Sequence, residues 1–282
     1  LKTLLLRLSV LLGVICFSIH PATASEAVRI GLTPTFLNER HALIAEWRKY
    51  LEHKLKQPVE FVLRDSYKET LALLGQKRID AAWLCDCPHV TDNPEFSLLA
   101  TPLFQGRPFY RSYLIVPEED KTTRGMTNLA GKVFAYTDPH SNFGYLFPRY
   151  ELRKLGEDPD LFFRRTFFTH SQRKSIEAVA VGVADAASVN SYIWETMHLL
   201  APVLTGRTRI VARSDEFGFP PFVTRHDFSR KRFRLLQQAL FDMSNDVAGK
   251  SVLEKMNLDG FVIPRAEFYR TLQETVRFMN SD

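Results

Sequence analysis

Apolar positions along this chain follow two repeats, and the repeats take turns. Val28, Ile30 and Leu32 recur every second residue, as on one face of a strand, until Thr33-Pro34 breaks the run. Ile44, Trp47, Leu51 and Leu55 recur every three or four residues, as on one face of a helix. The strand pattern returns from Val59 to Leu63. Ser66 and Glu69 make a capping box in front of a helix that carries Tyr67, Leu71 and Leu74 and stops at Gly75. Ala81 to Leu84 reads as a third strand, and 96–103 and 110–116 as further extended segments. A second series starts near Leu129: a strand over 133–136, a helix from the turn at 138–141 to Gly156, and a strand over 166–168. A helix over 173–181 with Gly182 as its stop, a strand over 186–189 and a helix from about Tyr192 complete it. Residues 209–212 and 222–223 are extended, and helices near 230–242, 247–256 and 265–279 finish the chain.

Strands alternating with helices predict an α/β fold with mostly parallel sheets and helices on both faces. No low-complexity tract or floppy linker separates the two series, which predicts two lobes joined by extended crossing strands. Ligands of open α/β sheets gather at the carboxyl ends of strands. The segments to search are therefore 33–40, 85–90, 138–145, 169–173 and 190–192.

The first residues change the picture by adding a compartment. Lys2 and Arg7 accompany an apolar run from Leu8 to Phe17, and Ala22-Thr23-Ala24 offers small residues for cleavage. That order predicts a secretory signal peptide over 1–24 and a periplasmic protein. The run is shorter than the roughly 20 residues that span a bilayer, and Cys16 follows the bulky pair Val14-Ile15, which argues against lipid attachment. No later stretch is apolar enough to span a membrane. The 37 Lys and Arg residues against 32 Asp and Glu give a net charge of +5, a mild bias towards anionic ligands. Arg230-Lys231-Arg232 fits a solvated helix face better than a nucleic-acid site, so a monomer without a nucleic-acid partner is expected.

Cys85 and Cys87 stand one residue apart, a spacing that strains a disulfide, and no second Cys/His cluster completes a zinc site. They fit buried small side chains at a strand end, or a redox or metal contact. An exported enzyme using Cys85, Asp86 and His89 is a remote reading. The chain lacks Gly-x-Ser-x-Gly, His-Glu-x-x-His, a P-loop and a dinucleotide glycine pattern, so neither catalysis, a cofactor nor a metal is expected.

The most informative stretch runs from Asp138 to Pro148. A strand enters a turn, and Ser141 is placed to cap a helix opening at Asn142, Phe143, Gly144 and Tyr145. Unpaired N–H groups and the positive end of a helix make an anion site. Gly144 would let a ligand approach the backbone, and Pro148, lacking a donor, should loosen the helix early.

Asp138-Pro139-x-Ser141-x-x-Gly144-Tyr145-Leu146-x-Pro148 after a strand resembles the signature of the phosphate/phosphite/phosphonate periplasmic binding proteins of ABC transporters. The resemblance covers nearly all of the chain beyond the leader. It includes Leu55 to Phe61, Gly75 to Leu84, Pro88-His89-Val90, Tyr110-Arg111-Ser112, Ile176 to Val179 and Gly182 to Val189. It implies a type II, Venus-flytrap clamp, with lobe 1 over 26–112 and 214–282 and lobe 2 over 113–213. It implies capture of a small oxyanion between the lobes and delivery to an ABC permease in the inner membrane, or, as the alternative, presentation to a membrane receptor kinase. Ser141, Asn142, Phe143 and Gly144 would hold the anion. Relatives commonly carry Ser-Thr-Ser where this chain has Ser-Asn-Phe. His170 and Gln172 fall near a family histidine, Asn190 stands where many relatives have an acid, and His89 replaces a tyrosine. Thr35, Phe36, Trp83 and Tyr145 would wall the cleft.

Overall fold

The computed structural model describes residues 26–33, 40–64, 66–84 and 95–281. The expected signal segment 1–24, Cys85, Asp86, Cys87, His89, Thr35 and Phe36 lie outside them. The first series folds as expected: β1 (Val28–Leu32), α1 (His41–Leu55), β2 (Val59–Leu63), α2 (Tyr67–Gly75) and β3 (Ala81–Trp83). The helical crossovers bring β2 and β3 back parallel to β1 on either side of it. β4 (Phe96–Leu103) follows, and the extended run predicted over 110–116 divides at Arg111. Its first part, β5 (Phe109–Tyr110), and its second, β6 (Ser112–Pro117), belong to different sheets.

The second series repeats the plan with β7 (Val133–Tyr136), a single turn at Asn142–Leu146 running into α3 (Phe147–Lys154), β8 (Arg165–Phe168), α4 (Gln172–Ala180) and β9 (Ala186–Asn190). Then come α5 (Ser191–Leu200), α6 (Pro202–Thr205), β10 (Thr208–Arg213), β11 (Phe217–Gly218) and β12 (Phe222–Arg225). α7 (Arg230–Phe241), α8 (Val247–Met256), β13 (Gly260–Val262) and α9 (Arg270–Asn280) complete the chain. The pattern did not announce β11 and β13, which are too short for a period to show.

Two large sheets result, of six strands in the order β13-β4-β12-β3-β1-β2 and of five in the order β10-β6-β9-β7-β8, with β5 and β11 as a separate pair. The expectation of mostly parallel sheets needs correction, because both are mixed. Only β2-β1-β3 and β8-β7-β9 are parallel. The physical reason is the crossing. β12 arrives from the other half and enters beside β3 from the opposite end, antiparallel, and β6 does the same beside β9. The crossing strands pair with each other through β5 and β11, Tyr110 against Phe217.

Helices cover the sheet faces with apolar stripes. Trp47 and Leu51 of α1 are fully buried, the Trp47 ring lying 4.7 Å from Phe61 of β2 and 5.9 Å from Phe222 of β12. α8 shows how a helix start is held: Asp246 Oδ1 accepts from the N–H groups of Ala248 and Gly249 at 2.9 and 3.0 Å, and Lys54 Nζ lies 3.0 Å from its other oxygen. The Gly249 N–H and then Lys54 hold this carboxyl below the usual aspartate range. Its contribution is therefore present above the ordinary value of about 3.9 and is lost as the pH falls through the lower folded-state value. Asp246→Ala is expected to cost about 1 kcal/mol in urea unfolding at neutral pH. The gap to the parent should close in strong acid; a gap that persists there would assign the loss to something other than the charge.

Candidate functional site

The parallel strands of both sheets end on the same small cavity, of about 30 Å³. Thr33 follows β1, Trp83 and Leu84 close β3, and Phe219 and Pro220 lead into the antiparallel β12, so one wall comes from the six-stranded half with Tyr67 of α2. The other wall is Ser141 and Phe143 after β7, Gln172 after β8, and Asn190, Tyr192 and Ile193 at the end of β9 and the start of α5. A single water needs roughly 10–15 Å³ in this measure, so the space suits a compact group of few heavy atoms. None of these lining residues is a Lys, Arg, His, Asp or Glu.

The turn after β7 is shaped by Pro148. It has no N–H for the carbonyl four residues back, which is that of Gly144. That carbonyl instead accepts from Thr137 N–H at 2.9 Å. The first turn widens to i→i−5 bonds, with Leu146 N–H donating to Ser141 O at 3.1 Å and Phe147 N–H to Asn142 O. At the start of this wide turn Ser141 Oγ accepts from Gly144 N–H at 3.0 Å. Gly144 is required here by its own strand: an added Cβ would lie 2.3 Å from Thr137 Cβ. The expected role, making room for a ligand, is therefore replaced by close packing against β7.

Ser141, Gln172 and Asn190 each stand at a helix start, and their hydrogen bonds fix what they offer. Ser141 Oγ accepts from Gly144 N–H and, at 3.3 Å, from Gln172 Nε2. With both lone pairs engaged, its own O–H is left to donate. Gln172 Oε1 accepts from Asn190 N–H at 3.0 Å, which turns its amide nitrogen towards Ser141 with a second hydrogen to spare. Asn190 Oδ1 accepts from Tyr192 N–H at 2.9 Å, so the NH₂ group is what Asn190 presents. This wall offers donors. Across the cavity Thr33 Oγ1 donates to Trp83 O at 3.2 Å, so lone pairs are what this hydroxyl has left to offer.

The aromatic rings turn their polar ends away. Trp83 Nε1–H donates to Pro220 O at 2.9 Å and Tyr192 O–H to Met256 O at 2.7 Å. Burial pushes the Tyr192 hydroxyl well above its ordinary value, so it stays a donor. Trp83 stacks 5.2 Å from Phe222 at 20°. Phe143 lines the cavity with one edge while its ring packs 4.2 Å from Tyr110 and 4.8 Å from Phe217, on the paired crossing strands.

Of the residues predicted from sequence, Ser141, Phe143, Gln172 and Asn190 come together here. Asn142 and Gly144 are buried in the turn behind them without lining the space. Tyr145 points elsewhere, packed on Tyr136 at 5.1 Å and Phe168 at 5.6 Å under the Arg149 guanidinium. His170 is 58% exposed, stacked on Phe168 with Nδ1 3.7 Å from Asp138 Oδ2, and its φ of 57° turns the chain so that Gln172, not His170, enters the core. Thr35, Phe36 and His89 lie outside the described residues, although Thr33 and Leu84, at the heads of their segments, line the cavity. Sequence reasoning missed Thr33 as a polar contact, with Tyr67, Phe219 and Pro220; only the strand-end position of Thr33 carried a signal.

The chain matches, over residues 30–269, the model of a family described as ABC transporter, phosphonate, periplasmic substrate-binding protein. It belongs to that family. Such proteins are the binding components of transporters, not enzymes. A binding protein component of an ABC phosphonate transporter from Pseudomonas aeruginosa superposes with a TM-score of 0.81 at 21% identity, covering 89% of this chain and 86% of that one. PhnD1 from Prochlorococcus marinus, solved with methylphosphonate, superposes with a TM-score of 0.78 at 18% identity, over 90% and 98% of the two chains. These structures share the type II, Venus-flytrap architecture of this member of the phosphonate-binding family. The phosphate-import protein PhnD of Mycolicibacterium smegmatis is 26% identical over 180 residues, 59% of this chain, which spans 56% of the length of that relative.

Proposed function

We propose that this phosphonate-family protein captures a small phosphorus oxyanion in the cavity between its two halves and hands it to an ABC permease. The observation that carries the reading is the donor wall: Ser141 O–H, Gln172 Nε2 and Asn190 Nδ2, each at a helix start, converge on a space that holds only a few atoms. An anion is an acceptor on every side, and hydrogen bonds to it contribute about 1.5–3 kcal/mol each. Three such bonds approach the roughly 8 kcal/mol of a micromolar complex; the positive ends of the helices supply the remainder and offset association costs.

The proposed lobes are 26–112 with 214–282, and 113–213. They meet through Tyr192 O–H to Met256 O, Asn257 Nδ2 to Thr196 Oγ1 at 3.0 Å and Arg153 Nη1 to Met279 O at 2.6 Å. Opening breaks these contacts, and an anion touching both walls favours closure. Residues 1–24 act as the cleaved export signal, and the folded part works in the periplasm.

Isothermal titration of the folded chain with phosphate, phosphite, methylphosphonate and sulfate tests the reading. Binding within the phosphorus series is expected, and Ser141→Ala should weaken it by about 1–3 kcal/mol. Silence from all four anions would remove the assignment.

A further inference from the structure

The two polar walls of the cavity are unlike, and this bears on the protonation state of the ligand. Ser141, Gln172 and Asn190 offer hydrogens, whereas Thr33 has committed its hydrogen to Trp83 O and offers lone pairs. A phosphite or methylphosphonate dianion has no P–OH to give Thr33, and its oxygen would face that acceptor lone pair to lone pair, whereas the phosphate dianion still carries one P–OH. Among the described residues none that lines the cavity carries a positive charge, so a second negative charge would lose its hydration without a counter-charge from them. A singly charged, protonated oxyanion satisfies both walls: its bare oxygens accept from the Ser141 side and its P–OH donates to Thr33 Oγ1. We infer that the cavity selects the singly charged form of its phosphorus oxyanion, which carries at least one P–OH, and that Thr33 is the residue that reads that proton. This rests on the oxyanion reading above and adds a selection rule to it.

The titratable groups near the cavity are few. Tyr67 and Tyr192 line it, and Arg40 acts on the Tyr192 hydroxyl. Asp138, whose Oδ1 accepts from His140 N–H, lies behind the Ser141 turn with His170, and Arg173 is paired with Glu177 on α4. Asp86 and His89 are outside the described residues. Titration of any protein group would move affinity at one pH for every ligand; a proton that belongs to the ligand moves with the ligand.

The test is the dissociation constant of phosphite, phosphate and methylphosphonate measured from mildly acidic to alkaline pH, with sulfate as the aprotic dianion. The expected result for phosphite and methylphosphonate is a tenfold loss of affinity per pH unit above a break that tracks the second pKa of each ligand in turn, with a shallower loss for phosphate, whose dianion keeps a P–OH. Sulfate should stay unbound. Thr33→Val should weaken the acidic plateau about tenfold and flatten the break, while Thr33→Ser keeps both, each variant first matched to the parent in thermal unfolding. A break at the same pH for phosphite and methylphosphonate, a flat profile for either, or sulfate binding as tight as phosphate would overturn the inference and leave oxyanion capture standing. Silence from every phosphorus ligand at every pH would remove the underlying reading, and this inference with it.

Discussion

Trp83→Ala is expected to lower stability by about 3–5 kcal/mol, the range for emptying a buried tryptophan site. The ring closes β3, stacks on Phe222 and faces Phe219 at 6.4 Å and Tyr192 at 6.3 Å, so it joins the six-stranded sheet to the cavity wall and to α5 of the other half. Its Nε1–H is also the donor to Pro220 O, and that buried carbonyl would lose its partner. The measurement is the urea midpoint with the slope held in view, because an unchanged slope shows that the two states compared are the same. Trp83→Phe should recover much of the packing but not the hydrogen bond. A loss below about 1 kcal/mol for Trp83→Ala would mean that the neighbouring rings collapse into the gap.

Gly144→Ala is the second large effect, and it comes from overpacking. The new Cβ would sit 2.2 Å from Thr137 Oγ1 and 2.3 Å from Thr137 Cβ, and rotating the threonine relieves only the first of these. β7 and the turn must separate, breaking Thr137 N–H to Gly144 O and loosening Gly144 N–H to Ser141 Oγ. A cost of about 3 kcal/mol is expected, at the upper end of the overpacking range. Because the displaced atoms hold Ser141, oxyanion affinity should fall together with the melting temperature. A variant that melts like the parent would show that the turn can shift as a unit.

The sequence spoke most clearly where a local rule governs. The Ser66 cap forms, with Ser66 Oγ accepting from Glu69 N–H at 3.2 Å. Pro148 loosens the helix start as its missing donor requires, and Ser141 caps it. What could not be read depends on partners distant in the chain. Strand sense was one such case: β12 looks like any short apolar run, and only its arrival from the other half makes it antiparallel. Gln172 and His170 were equal candidates on paper. A left-handed residue at His170 separates them, burying one to 3% exposure and leaving the other in solvent. Gly144 carried a real signal for close approach, but the sequence alone did not say that the approaching atom belongs to Thr137.

The crossing strands have a consequence for how such a molecule can be rebuilt. Ser214 N–H donates to Ser112 O at 3.0 Å, and Ser112 N–H to Ser214 Oγ at 2.8 Å. Everything from 112 to 213 thus leaves and re-enters through one doorway, and all five strands of its sheet lie within that excursion. A guest whose two ends sit side by side can be exchanged without rerouting its host. The six-stranded frame should accept a guest of different length at this threshold, and the excised guest keeps every strand it needs.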